Sequence, residues 1–218
     1  MKKLISSIYD DFYPFIELLP QQDAPVRDSL LASANPLDVT PDSVLLLWGG
    51  GDISPSFYGA KRASRGGGDD TPNRRDRIEW AMLQRAIEVG AGIIGICRGA
   101  QMLCAAAGGK LMQHVDNHAG YGHTITTIEG ETLHVNSLHH QMMYPFEVDH
   151  ELLAWSSEKR SGEYHDENMV YTDIPCEPEL VYFPKIKGIG AQWHPEMMKH
   201  DAPATQYLLN KIKETLHV

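Results

Sequence analysis

The chain has 218 residues, enough for one substantial core, and a net charge of −10 from 19 Lys plus Arg against 29 Asp plus Glu. So acidic a chain excludes a sequence-independent nucleic-acid binder, which needs a basic footprint, and no apolar run approaches the ~20 residues of a membrane-spanning helix. Cys97, Cys104 and Cys176 are an odd set without paired spacing, and the apolar stretch of "MKKLISSIYDDFY" is too short for a secretory signal, so the expectation is a cytoplasmic protein of one domain over residues 1–218.

In chain order, "KLISSIY" is a short strand candidate. "SVLLLW", Ser43–Trp48, is a continuous apolar run between "TPD" and "GGGD", as in a strand buried on both faces. "KRASRGGGDDTPNRRD", Lys61–Asp76, is rich in glycine and charge and reads as a flexible surface loop. Asn73–Val89 is a helix by its spacing: Ile78, Met82 and Ala86 recur at intervals of four, and Gly90 ends it. Arg74, Arg75 and Arg77 at its start read as a solvated face, with Asp76 and Glu79 as local ion partners. "AGIIGI", Ala91–Ile96, is the next buried strand, and shorter strands follow at "HTITTI", "ELVYF" and "KGIGAQW". Ser156–Asn168 reads as an acidic exposed loop. A last helix takes Asp201 as N-cap and Pro203 in its first turn, with Ala204, Leu208, Ile212 and Leu216 on one face. Strands alternating with helices predict an α/β fold with a doubly wound, mostly parallel sheet.

"Gly95-Ile96-Cys97-Arg98-Gly99" sits at the seam between a predicted strand and a predicted helix. It has the form G-x-C-x-G, the thiol counterpart of the G-x-S-x-G nucleophile elbow. A sharp turn there strains the nucleophile's backbone, and the glycines remove side chains that would strike the neighbouring strand and helix. The helix N-terminus favours a thiolate. The plainer alternative is a small buried cysteine beside packing glycines.

A cysteine nucleophile needs a base, and the base needs an orienting group. In "GAQWHPE", His194 and Glu196 are two apart and share one side if the strand continues through them; the alternative is a surface His–Glu pair. "Trp48-Gly49-Gly50-Gly51-Asp52" puts a glycine run at the C-terminal end of a buried strand, where backbone N–H groups can face a cleft. The N–H of Arg98, next to the nucleophile, is a second donor. A plain turn or a phosphate loop are the alternatives, although "GGGDISPSFYG" does not give G-x-G-x-x-G and no Walker sequence occurs. His114, His118 and His123 fall in one loop-like stretch and His139 and His140 are adjacent, but no pair with a fitting carboxylate stands on a clear helix, so no metal is expected.

The blocks "GGGDISPSFYG", "RRDRIEWAMLQRAI", "GICRGAQMLCAAAGGKLMQ", "VNSLHHQ" and "GAQWHPE" together resemble the class I glutamine amidotransferase superfamily, nearest to its stand-alone γ-glutamyl hydrolases. The resemblance spans Gly49–Glu196. It implies a flavodoxin-like three-layer fold with no cofactor. It makes Cys97 the nucleophile, His194 the base and Glu196 its orienting group. Gly50 and Arg98 supply the oxyanion hole, and Gln101, Asn136, Ser137 and His139 line the substrate pocket. Cys104 is core. The segment Ser156–Lys187 departs from the family pattern and is where substrate selection would lie. Three functions follow: a hydrolase of a small γ-glutamyl compound, a glutaminase feeding ammonia to a separate synthetase, or an inactive binding module. The partner is then a small molecule, neither nucleic acid nor membrane; a synthetase and a second copy of the chain are the protein partners left open.

Overall fold

The structure is a computed structural model that describes residues 3–7, 13–15, 18, 34–120 and 122–218. In chain order its strands are β1 (Lys3–Ser6), β2 (Ser43–Leu47), β3 (Gly92–Ile96), β4 (Lys110–Met112), β5 (His114–Val115), β6 (His123–Thr127), β7 (Thr132–Val135), β8 (Met142–Tyr144), β9 (Glu151–Ser156), β10 (Tyr164–His165), β11 (Val170–Tyr171), β12 (Pro178–Phe183) and β13 (Gly188–Ala191). Its α-helices are α1 (Arg74–Val89), α2 (Arg98–Ala106) and α3 (Pro203–Leu216).

Among the described residues the main sheet has eight strands in the order β1-β2-β3-β13-β12-β9-β6-β7. From β1 to β13 neighbours run parallel; from β13 to β7 they run antiparallel. The parallel strands are buried on both faces, which is why their sequences are unbroken apolar runs. Successive side chains divide between two cores. Val44, Leu46, Ile94 and Ile96 join Leu208 and Ile212 of α3 on one side, while Leu45, Leu47 and Ile93 join Met82, Leu83 and Ala86 of α1 and Ala100 and Leu103 of α2 on the other. The result is helix, sheet and helix in three layers. Two small sheets, β11-β10-β5 and β4-β8, flank this body.

Several local expectations change. Ile8 and Tyr9 of "KLISSIY" lie outside the described residues. The N-cap of α3 is Ala202, with no side-chain cap; Asp201 stands one position too early to reach the second or third helical N–H. The 61–76 stretch is pinned rather than loose: Gln113 accepts from the Ala63 N–H at 2.8 Å and donates to the Lys61 carbonyl at 2.8 Å. Ser156–Asn168 is not one exposed loop, since Ser156 closes β9 and the buried Tyr164 opens β10. Within Ser156–Lys187 the strand expected at "ELVYF" is β12. Among the described residues no helix is long and apolar enough to cross a membrane.

Candidate active site

β3 ends at Ile96 and α2 begins at Arg98, so Cys97 alone makes the turn. Its backbone has φ 51° and ψ −105°, a conformation that costs an L-residue on the order of 1–3 kcal/mol. Hydrogen bonds on both sides hold it: the Cys97 N–H donates to the Ala191 carbonyl at 2.7 Å, and the Cys97 carbonyl accepts from the Gln101 N–H at 3.1 Å. The glycines do the steric work expected of them. A Cβ on Gly95 would lie 2.6 Å from the Gly99 backbone, and one on Gly99 would strike the Leu47 carbonyl of β2. A side chain at either position would force strand and helix apart.

β13 lies beside β3 and brings His194 to the elbow. The strand stops at Ala191, and Pro195–Met197 form a 3-10 turn. His194 and Glu196 therefore meet across a turn rather than along a strand, because Pro195 opens that turn with a fixed φ. The contact is short all the same: His194 Nδ1 to Glu196 Oε1 is 2.6 Å. This leaves Nε2 free of Glu196, and the Cys97 side chain is among the groups that act on the ring. Burial pushes the imidazole down, but its bonds to Cys97 and Glu196 and their negative charge outweigh burial and lift it to about 10. The surroundings thus favour the protonated imidazole.

The other thiols differ. Burial pushes Cys104 up to about 12 and, with the Glu177 charge, Cys176 up to about 11. Neither has an imidazole beside it comparable to His194, so neither is set up as a nucleophile.

The glycine run after β2 closes the site on another side. A Cβ on Gly49 would sit 2.5 Å from His194 Cε1, so the imidazole turns its Cε1 edge to this backbone and leaves no room for a side chain. Gly50 has φ +145°, and a Cβ there would run into the Arg75 guanidinium. Arg75 donates to the carbonyls of Trp48 at 3.1 Å and Gly49 at 2.9 Å, and its Nε donates to Glu79 Oε1 at 3.0 Å. Glu79 also accepts from Arg98 Nη1, and Asp76 Oδ1 accepts from Arg98 Nη2 at 2.5 Å. Asp76 does this while its second oxygen completes the capping box of α1 with Asn73. Arg75 therefore leaves the expected solvated face: Glu79 is its ion partner as read, but Asp76, Glu79 and Arg98 are buried, and with Arg75 they tie the two candidate oxyanion donors, Gly50 and Arg98, into one network. A sequence signal for it existed. Glu79 falls on the apolar stripe with Met82, Leu83 and Ala86, where a carboxylate needs a buried cation.

Of the remaining expected residues, Gln101 is buried on α2, its amide donating to the Gln141 carbonyl at 3.0 Å. Asn136 grips the backbone of His194 from both sides: its Nδ2 donates to the His194 carbonyl at 2.7 Å and its Oδ1 accepts the His194 N–H at 2.8 Å. Ser137 donates to the His118 carbonyl, and His139 bonds the Gln141 carbonyl at 2.9 Å. Both are buried. The structure thus gathers Cys97, His194, Glu196, Gly50 and Arg98 around one point. It turns Ser137 and His139 into the body of the protein and has Asn136 hold the backbone of His194.

Residues 41–160, just over half of the chain, match the family model described as Peptidase C26. The chain belongs to the Peptidase C26 family. The match covers the glycine run, the elbow and the Asn136–His139 segment but stops short of His194 and Glu196, which enter through the geometry above. A Mycobacterium tuberculosis protein named "Putative glutamine amidotransferase" is 31% identical over 134 residues, 49% of this chain and 43% of that protein. A Lactococcus lactis "glutamine amidotransferase-like protein" is 41% identical over 69 residues, 32% of this chain and 28% of its own length. The matched stretches thus span less than half of either relative. In fold, a glutamine amidotransferase of Thermotoga maritima superposes with a TM-score of 0.52 at 14% identity, covering 100% of this chain and 89% of the other. The three-layer fold is that of class I glutamine amidotransferases.

Proposed function

We propose that this Peptidase C26 chain hydrolyses the γ-glutamyl amide bond of a small compound through a thioester on Cys97. The observation that carries the reading is the contact chain at the elbow: a cysteine held at φ 51°, an imidazole on its sulfur, and a carboxylate 2.6 Å behind the imidazole. The Cys97 thiolate attacks the δ-carbonyl, and the electron pair displaced onto oxygen is received by the N–H groups of Gly50 and Arg98. As the tetrahedral species collapses, the C–N bond breaks and the His194 imidazolium gives its proton to the departing nitrogen. Water then attacks the thioester, His194 takes the water's proton, and collapse expels Cys97 as thiolate and releases glutamate. Glu196 holds the imidazole in the tautomer that keeps Nε2 toward sulfur and stabilises its charge. Asn136 is proposed to position His194, and Gln101 to shape the pocket for the glutamyl unit.

The names of the relatives favour a second reading, a glutaminase that passes ammonia to a separate synthetase. An inactive binding module is disfavoured by the intact Cys97–His194–Glu196 contacts. Steady-state kinetics of the purified chain on glutamine and on a panel of γ-glutamyl amides decides among these. Preference for an amide with an amine bulkier than ammonia supports the hydrolase. Cleavage of glutamine alone, stimulated by a synthetase, replaces it with the glutaminase, and no cleavage of any member leaves the binding module.

A further inference from the structure

The antiparallel half of the sheet buries a second group of titratable side chains that the proposed reaction does not use. His118 follows β5, His123 opens β6, His139 lies between β7 and β8, and Glu177 and Glu179 stand at the start of β12. All five are buried. Three ring nitrogens converge on one oxygen, Glu179 Oε1: His123 Nε2 at 2.9 Å, His118 Nδ1 at 3.7 Å and His139 Nε2 at 3.8 Å. The donor atoms of His118, His123 and Glu179 all lie within 4.8 Å of one another.

The outer nitrogens determine what the inner ones present. His118 Nε2 is 3.1 Å from Glu177 Oε2, and His139 Nδ1 is 2.9 Å from the Gln141 carbonyl. Both partners only accept, so these nitrogens carry the ring protons, and in the neutral rings His118 Nδ1 and His139 Nε2 carry lone pairs. Those lone pairs face a carboxylate oxygen in a buried interior. Among the described residues neither inner nitrogen has a hydrogen-bond partner, and nor does Glu179 Oε2. Acceptor against acceptor, without water, is unfavourable unless a cation stands between them.

We propose that His118 Nδ1, His123 Nε2, His139 Nε2 and Glu179 hold a structural divalent cation of the zinc type. Three imidazoles and one carboxylate are a borderline donor set suited to zinc, and the nitrogen separations from Glu179 Oε1, 2.9 to 3.8 Å, stand on either side of the ~3.3 Å edge of a tetrahedron built on zinc–nitrogen bonds of about 2.0–2.1 Å; His139, outside the group whose donor atoms lie within 4.8 Å of one another, closes in on the ion to complete the set. His123 takes part in its Nδ1–H tautomer. The surroundings are those of a metal centre: Glu177 orients His118 and is itself held by the N–H groups of Arg160 and Ser161 and by the Tyr164 hydroxyl at 2.7 Å. A dication, Glu179 and Glu177 sum to zero charge, which a closed interior favours. The ion would join β6, β12 and the segment after β7, whose Asn136 grips His194. Its role is to fasten that segment, at a distance from the thiol.

The test uses the full chain, refolded with Zn²⁺ and freed of loose ion. Elemental analysis is expected to give about one zinc per chain. X-ray absorption of the bound ion is expected to show three nitrogens and one oxygen, without sulfur. Glu179→Gln and His123→Asn should each weaken zinc retention at least about tenfold, the scale that outer partners alone can reach, while Cys97→Ser should retain it. Absence of bound zinc after refolding, with a melting temperature indifferent to chelator, overturns the proposal and leaves shared protons in the cluster. Sulfur or a mostly aqueous shell in the absorption spectrum overturns it too, and that reading needs only the wild-type chain should the variants fail to fold. Unchanged zinc content in a folded Glu179→Gln variant does the same.

Discussion

The two halves of the central sheet solve different problems. The parallel half, β1-β2-β3-β13, puts its chemistry at strand ends through backbone devices: a strained cysteine, glycines where strand and helix touch, and a proline turn that folds Glu196 back on His194. The antiparallel half, β12-β9-β6-β7, spends buried polar side chains, His118, His123, His139, Glu177 and Glu179, on holding its strands and the Asn136 segment in place. In the proposed reaction one half carries the chemistry, and the other carries the arm that steadies His194. Substitutions in the first should therefore remove turnover and spare the fold, and substitutions in the second should do the reverse.

The sharpest separation is expected at Cys97. Cys97→Ala should lower turnover by about 10⁴-fold or more with an unchanged circular dichroism spectrum, because Gly95 and Gly99 set the turn and not the thiol. A diazo-ketone glutamine analogue should label Cys97 and spare Cys104 and Cys176, whose thiols burial pushes up to about 12 and 11; equal labelling on peptide mass mapping would erase the distinction. His194→Ala should come close to Cys97→Ala, since both proton transfers pass through that ring.

Glu196→Gln should cost less, roughly 10²-fold, and should also change the pH profile. The His194 imidazolium is lifted above its ordinary 6.5 to about 10, so the proton needed by the leaving nitrogen is present at neutral pH and is lost as pH rises through about 10. Glu196 is one of the groups that lift it, so kcat/KM for Glu196→Gln should fall at a lower pH than for the wild type. A coincident alkaline limb in the two proteins would remove Glu196 from its orienting role.

The ion network beneath the elbow lies where the two behaviours mix. Glu79→Ala strips a buried carboxylate from Arg98 and Arg75 and should cost about 3–5 kcal/mol in denaturant unfolding, with a smaller loss of turnover as Gly50 and Arg98 drift. Asp201→Ala is the expected null: exposed and outside the cap of α3, it should change stability by less than about 0.5 kcal/mol.

The parallel half was legible because its signals are local. An apolar run closed by glycines reads as a buried strand wherever it occurs, and a cysteine between two glycines at a strand-to-helix seam has few other uses. "GAQWHPE" was legible in its residues but not in its geometry, since Pro195 made a turn of what read as a strand end. The antiparallel half was opaque because its polar groups come from positions 118, 123, 139, 177 and 179 and meet only through pairing between β6, β9 and β12. Spacing along the chain carries no trace of that meeting. For the same reason Asn136 read as a pocket residue: its contact with His194 spans 58 positions. Arg75 and Glu79 were misread because four-residue spacing on a helix describes a solvated pair and a buried one equally well.

The claim that Cys97 forms a thioester with a γ-glutamyl group is tested most directly by trapping it. The wild-type chain is mixed with a γ-glutamyl amide, quenched in acid within the first turnovers and read by intact mass and peptide mapping. The account predicts one γ-glutamyl adduct on Cys97, labile to hydroxylamine and missing from Cys97→Ala. Steady turnover with no adduct on any cysteine, or an adduct and full activity that persist in Cys97→Ala, would contradict it.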